Sequence, residues 1–299
     1  MKPVSALRRL EIPEIAVFET GEGDLVRLAI RSKLAEAHIY LHGAHVSHFQ
    51  PREKAPVLFM SQQSQFAPGT AIRGGVPVIF PWFGPRAGRP DSPAHGFART
   101  ADWRLESVSE DGDGVVTAAF ELTADSKTRA LWPYDFNLRY RVAVSRNLTL
   151  TLEVENTSNE SFVFENALHT YFAVSDVRET STTGLENADY IDKTDNFQRK
   201  NQGKDPIRIT QETDRVYEST RKTCTVDDPG VRRRLIVEKS GSQTTVVWNP
   251  WIAKAAAMAD FGHDEWPRML CIETANAGAN AITLEPGKTQ SMRAVISIG

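Results

Sequence analysis

Cysteine is scarce: only Cys224 and Cys271 occur in 299 residues, far apart in the sequence. That count argues against a disulfide-stapled secreted scaffold, and a reducing cytoplasm is the expected compartment. Long apolar runs are missing too. No stretch approaches the roughly 20 residues that a membrane-spanning helix needs. The opening Met1–Leu10 carries Arg8 and Arg9, but no signal-peptide core follows. Charge of one sign is not in excess: the formal net charge is -3, which gives a nucleic-acid backbone nothing to hold. The local run Arg232-Arg233-Arg234 reads as a solvated strand or turn face. A G-x-S-x-G elbow, a P-loop and a G-x-G-x-x-G turn after a strand are all lacking, so phosphate binding by a glycine cradle is unsupported. No fixed-period repeat, low-complexity tract or linker divides the chain, which reads as one domain.

What is present is strand periodicity. In NLTLTLEVEN (147–156), Leu148, Leu150, Leu152 and Val154 share one face, and Thr149, Thr151, Glu153 and Glu155 share the other. RYRVAVS (139–145) repeats the alternation, and the short Ser145–Asn147 connection predicts a hairpin. Further strands are predicted at 115–122, 233–239, 244–249, 269–274 and 291–298, separated by turns such as Asp228-Pro229-Gly230 and Glu285-Pro286-Gly287. Helices are few, the best being AKAAAMAD (253–260). Many short strands joined by turns predict an all-β sandwich or barrel. The stretch 51–99 is rich in Gly and Pro and reads as a long irregular loop, the kind of segment on which sites are built.

Several constellations could carry chemistry. His42, His45 and His48 lie close together, but on a strand His45 points away from the other two, and no cysteine or carboxylate completes a zinc site. A cupin-type metalloenzyme is the all-β alternative. The loop supplies Arg73 (beside Gly74 and Gly75), Arg86 and Arg99, and guanidinium groups grip phosphate with paired charge-assisted hydrogen bonds. Surface ion pairs would use the same arginines. His169 shares a predicted strand face with Glu165, Ala167 and Tyr171. Glu273 shares one with Met269 and Cys271, an apolar setting that raises a carboxyl pKa toward the range useful to a general base. Taken singly, each also reads as a satisfied structural residue.

The runs IRGGVPVIFPWFGPR, HGFAR, ENALHTYFAVSDV, GLENADYIDK, ETDRVYE and VVWNPWIAKAAAMADFGHDEWPRMLCIETANA occur in that order across roughly residues 40 to 298. Together they resemble the glucose-6-phosphate 1-epimerase (hexose-6-phosphate mutarotase) branch of the aldose 1-epimerase family. The resemblance implies a single-domain, galactose-mutarotase-like β-supersandwich that needs neither cofactor nor metal. It implies a catalytic pair, His169 as acid and Glu273 as base, with substrate contacts at Arg73, His95, Arg99 and Asp214. The loop's own arginines add Arg86 as a candidate phosphate contact. One departure is visible, because a glutamine often precedes the histidine of HGFAR and here the residue is Ala94.

Such an enzyme interconverts the α and β anomers of a hexose 6-phosphate, D-glucose 6-phosphate above all. The base takes the C1 hydroxyl proton while the acid protonates the ring oxygen, so His169 has to be protonated when Glu273 is ionised. Trp82, Phe83 or Trp251 would wall the sugar. The expected protein is a cytoplasmic monomer acting on a small molecule, without nucleic acid or membrane. A mutarotase of an unphosphorylated aldose and a non-catalytic sugar-binding module are the competing functions.

Overall fold

The structure, a computed structural model, describes residues 7–299. Residues 1–6, part of the opening stretch read above for a signal segment, lie outside the described residues. Among the described residues no helix is long and apolar enough to cross a membrane.

Two eight-stranded antiparallel sheets dominate, joined by a four-stranded sheet (Ala16–Thr20, Val26–Arg31, Ala35–Tyr40, His45–Pro51) and a two-stranded one. In the first large sheet the middle strands run in the order Cys224–Asp228, Arg233–Ser240, Thr289–Ile298, Leu148–Asn156, Phe136–Val144, Val116–Thr123. Leu148–Asn156 alternates buried with half-buried residues along its whole length, as its sequence pattern requires. Its hairpin partner is Phe136–Val144, with Val144 opposite Leu148. The second large sheet behaves differently. Thr244–Asn249 and Met269–Asn276 are buried at every position, so both of their faces are covered. One face, with Leu270 and Ile272, joins a hydrophobic cluster that also takes Leu150 and Leu152 from the first sheet. The other face, with Glu273 and Ala275, floors a cleft.

All seven strands anticipated from alternation are present, with ends that differ by a few residues. The helix expected over 253–260 forms instead as Trp251–Ala257, starting directly after Pro250. A second helix, Ser126–Leu131, was not anticipated; the Asp125 carboxylate accepts from the Thr128 amide (2.8 Å) and the Thr128 hydroxyl accepts from the Asp125 amide in return, a capping box that fixes the start. Beyond Pro51, where one strand ends, the 51–99 stretch has little regular structure, its one further strand being Val78–Ile79. The three neighbouring histidines do not share a strand. His45 opens the strand His45–Pro51, and His42 precedes it across a turn in which Gly43 and Ala44 take positive φ.

The irregular loop is held by close backbone contact. Phe80 pairs with Gly96 across the loop, and the Phe80 carbonyl accepts from the Phe97 amide (3.0 Å). Gly96 has φ 71, and a Cβ there would lie 1.9 Å from the Phe80 carbonyl oxygen. Gly96→Ala therefore meets both left-handed strain and a clash with backbone. It is expected to destabilise the protein by roughly 1–3 kcal/mol, read as a lowered denaturant midpoint; an unchanged midpoint would show that the loop relaxes freely.

Candidate active site

The cleft face of the second large sheet presents a row of cross-strand neighbours. Asp214 lies opposite Trp248, Trp248 opposite Cys271, and Cys271 opposite Tyr171. One step along the same face, Val246 lies opposite Glu273. The strands Asn166–Leu168 and Tyr171–Ala173 pair with Met269–Asn276 in a single register, Leu168 opposite Thr274 and Tyr171 opposite Cys271. That register sets residue 169 opposite residue 273. Between the two short strands the His169 amide turns to the Pro77 carbonyl (3.0 Å), which ties the segment to the irregular loop. His169 Nε2 comes to 3.3 Å from Glu273 Oε1, and both side chains are almost fully buried.

These two residues adjoin a cleft of about 350 Å³ whose walls include Arg73, His95, Arg99, Asp214, Lys193 and Trp248. Its size suits a small polar ligand. His95 sits at positive φ and accepts a hydrogen bond on Nδ1 from the Gly84 amide (3.2 Å), while its ring meets His169 edge-on at 5.8 Å. Arg73 spans two partners: its Nε and Nη2 donate to Asp260 (3.1 and 3.0 Å) and its Nη1 to the Tyr171 hydroxyl (2.9 Å). Arg99 donates from Nη2 to the Ala94 carbonyl (2.8 Å), so the backbone of the departing position serves as its anchor. The structure thus brings six of the sequence-derived site residues together.

Arg86 is placed elsewhere. Its guanidinium lies over the Trp82 ring at 4.6 Å and donates to the Leu131 carbonyl, outside the cleft wall. Glu165, which shares a strand pattern with His169, is also structural, because its carboxylate accepts from the amides of Phe83 and Gly278, each at 2.7 Å. Of the aromatic walls expected, Phe83 lines the cleft, Trp82 is in the core, and Trp251 packs on Trp266 at 4.2 Å. Trp248 is the tryptophan that faces the site. Lys193, Lys254 and Trp248 were missed. Alternation in TTVVWN put Trp248 on the face of Val246, but only the sheet pairing shows which face is the cleft.

Burial sets the protonation states. It holds the His169 imidazole well below the usual histidine range, with the charges of His95, Arg99 and Arg73 adding to it. It pushes the Glu273 carboxyl well above the usual carboxylate range, helped by Asp214. Burial thus opposes the charged pair that the acid–base reading requires, favouring a neutral imidazole and a protonated carboxyl. Asp214 is also raised by burial, against the opposing charge of Lys193 at 3.3 Å. Burial pulls Arg99 down to about 10, and Arg73 adds to the effect. Among the described residues, three polar atoms in this group are buried without a hydrogen-bond partner: His169 Nδ1, Glu273 Oε2 and Arg99 Nε. Buried polar atoms are rarely left unsatisfied without a functional reason. Among the described residues no three His, Cys, Asp or Glu side chains group so as to hold a metal ion.

Known proteins are similar to this chain in sequence and in architecture. A protein of Escherichia coli strain K12 named as a candidate glucose-6-phosphate 1-epimerase is 39% identical over 280 residues, 93% of this chain and 92% of that protein. The crystal structure of a candidate mutarotase, YeaD, from Salmonella typhimurium superposes with a TM-score of 0.90 at 29% identity, covering 97% of this chain and 95% of that one. A galactose mutarotase related enzyme from Lactobacillus acidophilus shares the fold at a TM-score of 0.74 and 16% identity, over 91% and 97% of the two chains. The galactose-mutarotase-like β-architecture expected from the sequence is thus the one observed. Matched over residues 25–297 by the family model for aldose 1-epimerase, the chain belongs to that family of isomerases.

Proposed function

We propose that this enzyme interconverts the α and β anomers of a hexose 6-phosphate by acid–base opening and closing of the sugar ring. One observation carries the reading: an imidazole and a carboxyl 3.3 Å apart at the wall of a polar cleft. The C1 hydroxyl and the ring oxygen are bonded to the same carbon, so an acid and a base that serve both must sit side by side.

The pair needs one proton, which burial favours on the Glu273 carboxyl. Substrate hydroxyls that donate to the unpartnered Glu273 Oε2 stabilise the carboxylate, and a phosphate dianion nearby favours imidazolium. The proton then crosses to His169 Nε2. Glu273 removes the C1 hydroxyl proton, the C1–O5 bond breaks, and His169 protonates the departing O5. The aldehyde turns about C1–C2, and closure on its other face returns both protons. Each positioned transfer contributes roughly 10²–10⁴-fold. Asp214 and His95 orient hydroxyls, and Trp248 and Phe83 give the sugar apolar surface.

The arginines argue for a phosphorylated substrate. Arg73, Lys193 and Lys254 are each paired with a carboxylate (Asp260, Asp214 and Glu212), whereas among the described residues Arg99 has none. An arriving phosphate supplies the missing counter-charge. Arg99→Ala is expected to raise KM for the 6-phosphate by roughly 10–100-fold, the scale of a lost hydrogen bond to a charged group, with kcat/KM for the free sugar changed by less than about threefold. Equal losses on both sugars would give Arg99 a structural role instead.

The deciding measurement is anomer exchange by NMR, with glucose 6-phosphate and glucose each tested with and without the protein. Acceleration of the phosphate ester supports the proposal; acceleration of glucose alone makes the enzyme a free-aldose mutarotase. Binding without acceleration makes it a sugar-binding module. We further infer a single-domain monomer in the cytoplasm, with no nucleic-acid partner. One hydrophobic cluster running from Leu7 to Ile296 supports the single domain, and two buried free thiols support the reducing compartment.

A further inference from the structure

Catalytic histidines are commonly oriented by a hydrogen bond on the ring nitrogen opposite the reacting one. Among the described residues the buried His169 Nδ1 has no hydrogen bond to another residue's side chain or backbone. Its ring is instead boxed by aromatic contacts. Tyr171 lies against its face, with centroids 4.8 Å apart and planes 12° from parallel. Trp248 and His95 meet it edge-on at 6.1 and 5.8 Å. Trp248 also meets Tyr171 edge-on at 5.8 Å, so the stack is braced from the side.

Tyr171 has a second attachment. Its hydroxyl accepts from Arg73 Nη1, and Arg73 is clamped on its other edge by Asp260. The backbone continues the link, because the Tyr171 amide donates to the Gly75 carbonyl (2.9 Å), two residues past Arg73. Asp260, Arg73, Tyr171, His169 and Glu273 therefore form one continuous chain of contacts from the cleft rim to the acid–base pair.

We propose that Tyr171 is a positioning residue with two separable roles, its ring fixing the plane of the His169 imidazole and its hydroxyl fixing the substrate-binding Arg73. The proposal rests on the acid–base reading given above. Aromatic stacking supplies orientation here without adding a charge or a hydrogen-bond acceptor beside Nδ1. It also keeps the imidazole dry, the largest cause of its lowered basicity.

Two variants separate these roles. Tyr171→Phe keeps the stack and frees Arg73 Nη1. It is expected to raise KM for glucose 6-phosphate about three- to tenfold, with kcat and the pH profile close to the wild type. Tyr171→Leu removes the stack and lets water reach the imidazole. It is expected to lower kcat roughly 10–100-fold, as misplacement of a reacting group by about 1 Å does, and to move the His169 titration upward. That titration is read from the imidazole of 15N-histidine-labelled protein. The groups that face His169 from other segments, Glu273, His95, Arg99 and Arg73, are unchanged in both variants.

A folded Tyr171→Leu protein with wild-type kcat and an unmoved His169 titration would overturn the proposal. So would Tyr171→Phe losing as much kcat as Tyr171→Leu, because the hydroxyl would then be the active part. Failure of the wild type to accelerate anomer exchange would sink the acid–base reading alone. The NMR titration would still report whether the tyrosine ring governs the histidine.

Discussion

Glu273→Gln is expected to lower kcat for anomer exchange by roughly 10²–10⁴-fold while raising stability at neutral and alkaline pH. Glutamine has the shape of the protonated carboxyl but gives up no proton. The stability change follows from the proton count. Burial raises the Glu273 pKa above its ordinary 4.5, so between 4.5 and the higher native value the folded protein holds a proton that the unfolded chain has lost. Stability falls as pH rises through that window. Glutamine removes the titration, and with it the cost of ionising a buried carboxyl. Thermal melting followed from acid into alkaline pH should show the two proteins parting as pH increases, the variant melting higher. A variant that melts lower throughout would mean that the carboxylate is held ionised by an interaction worth more than its burial costs. Near-normal turnover in the folded variant would remove Glu273 from the reaction.

The sequence made the strands legible wherever one face meets the core and the other meets water. Leu148–Asn156 is the clearest case, because its alternation is a direct record of that asymmetry. Met269–Asn276 lies between core and cleft, is buried on both sides, and so shows little alternation. The four-stranded sheet near the start escaped notice except at its histidines, since its order depends on pairing rather than on any local pattern. At the site, residue types could be nominated but not assembled. Nothing local in ENALHTYF or MLCIETAN says that residues 169 and 273 fall opposite each other, which is a property of sheet register. Arg86 shows the reverse failure: a cation in a suitable loop was nominated, and the fold turned it toward Trp82 and Leu131. The direction in which the His169 pKa moves was not legible either, because it depends on burial, which the whole fold sets.

His169→Asn is expected to lower kcat by a similar factor, roughly 10²–10⁴-fold, and the double variant with Glu273→Gln to lose little more than the worse single one. The reason is that the two groups handle one proton in opposite directions, so removing either breaks the cycle and the second removal finds nothing left to break. The pH profile should separate their parts. The competent free enzyme carries one proton on the pair. Acid adds a second at His169, whose pKa lies well below the ordinary 6.5, and alkali removes the first from Glu273, whose pKa lies well above 4.5. Activity should therefore fall on both sides of a plateau, with His169 setting the acid limb and Glu273 the alkaline one. Residual activity of His169→Asn should keep the alkaline limb and lose the acid limb, and Glu273→Gln should do the opposite. Stability gives an independent check on the same histidine. Its native pKa is depressed, so the unfolded chain binds more protons, and the wild type loses stability as pH falls below 6.5. That part of the acid sensitivity should vanish in the asparagine variant. Fully additive losses in the double variant, or an acid limb unaltered by His169→Asn, would mean that the two residues act at separate steps and that the shared proton is not the basis of the reaction.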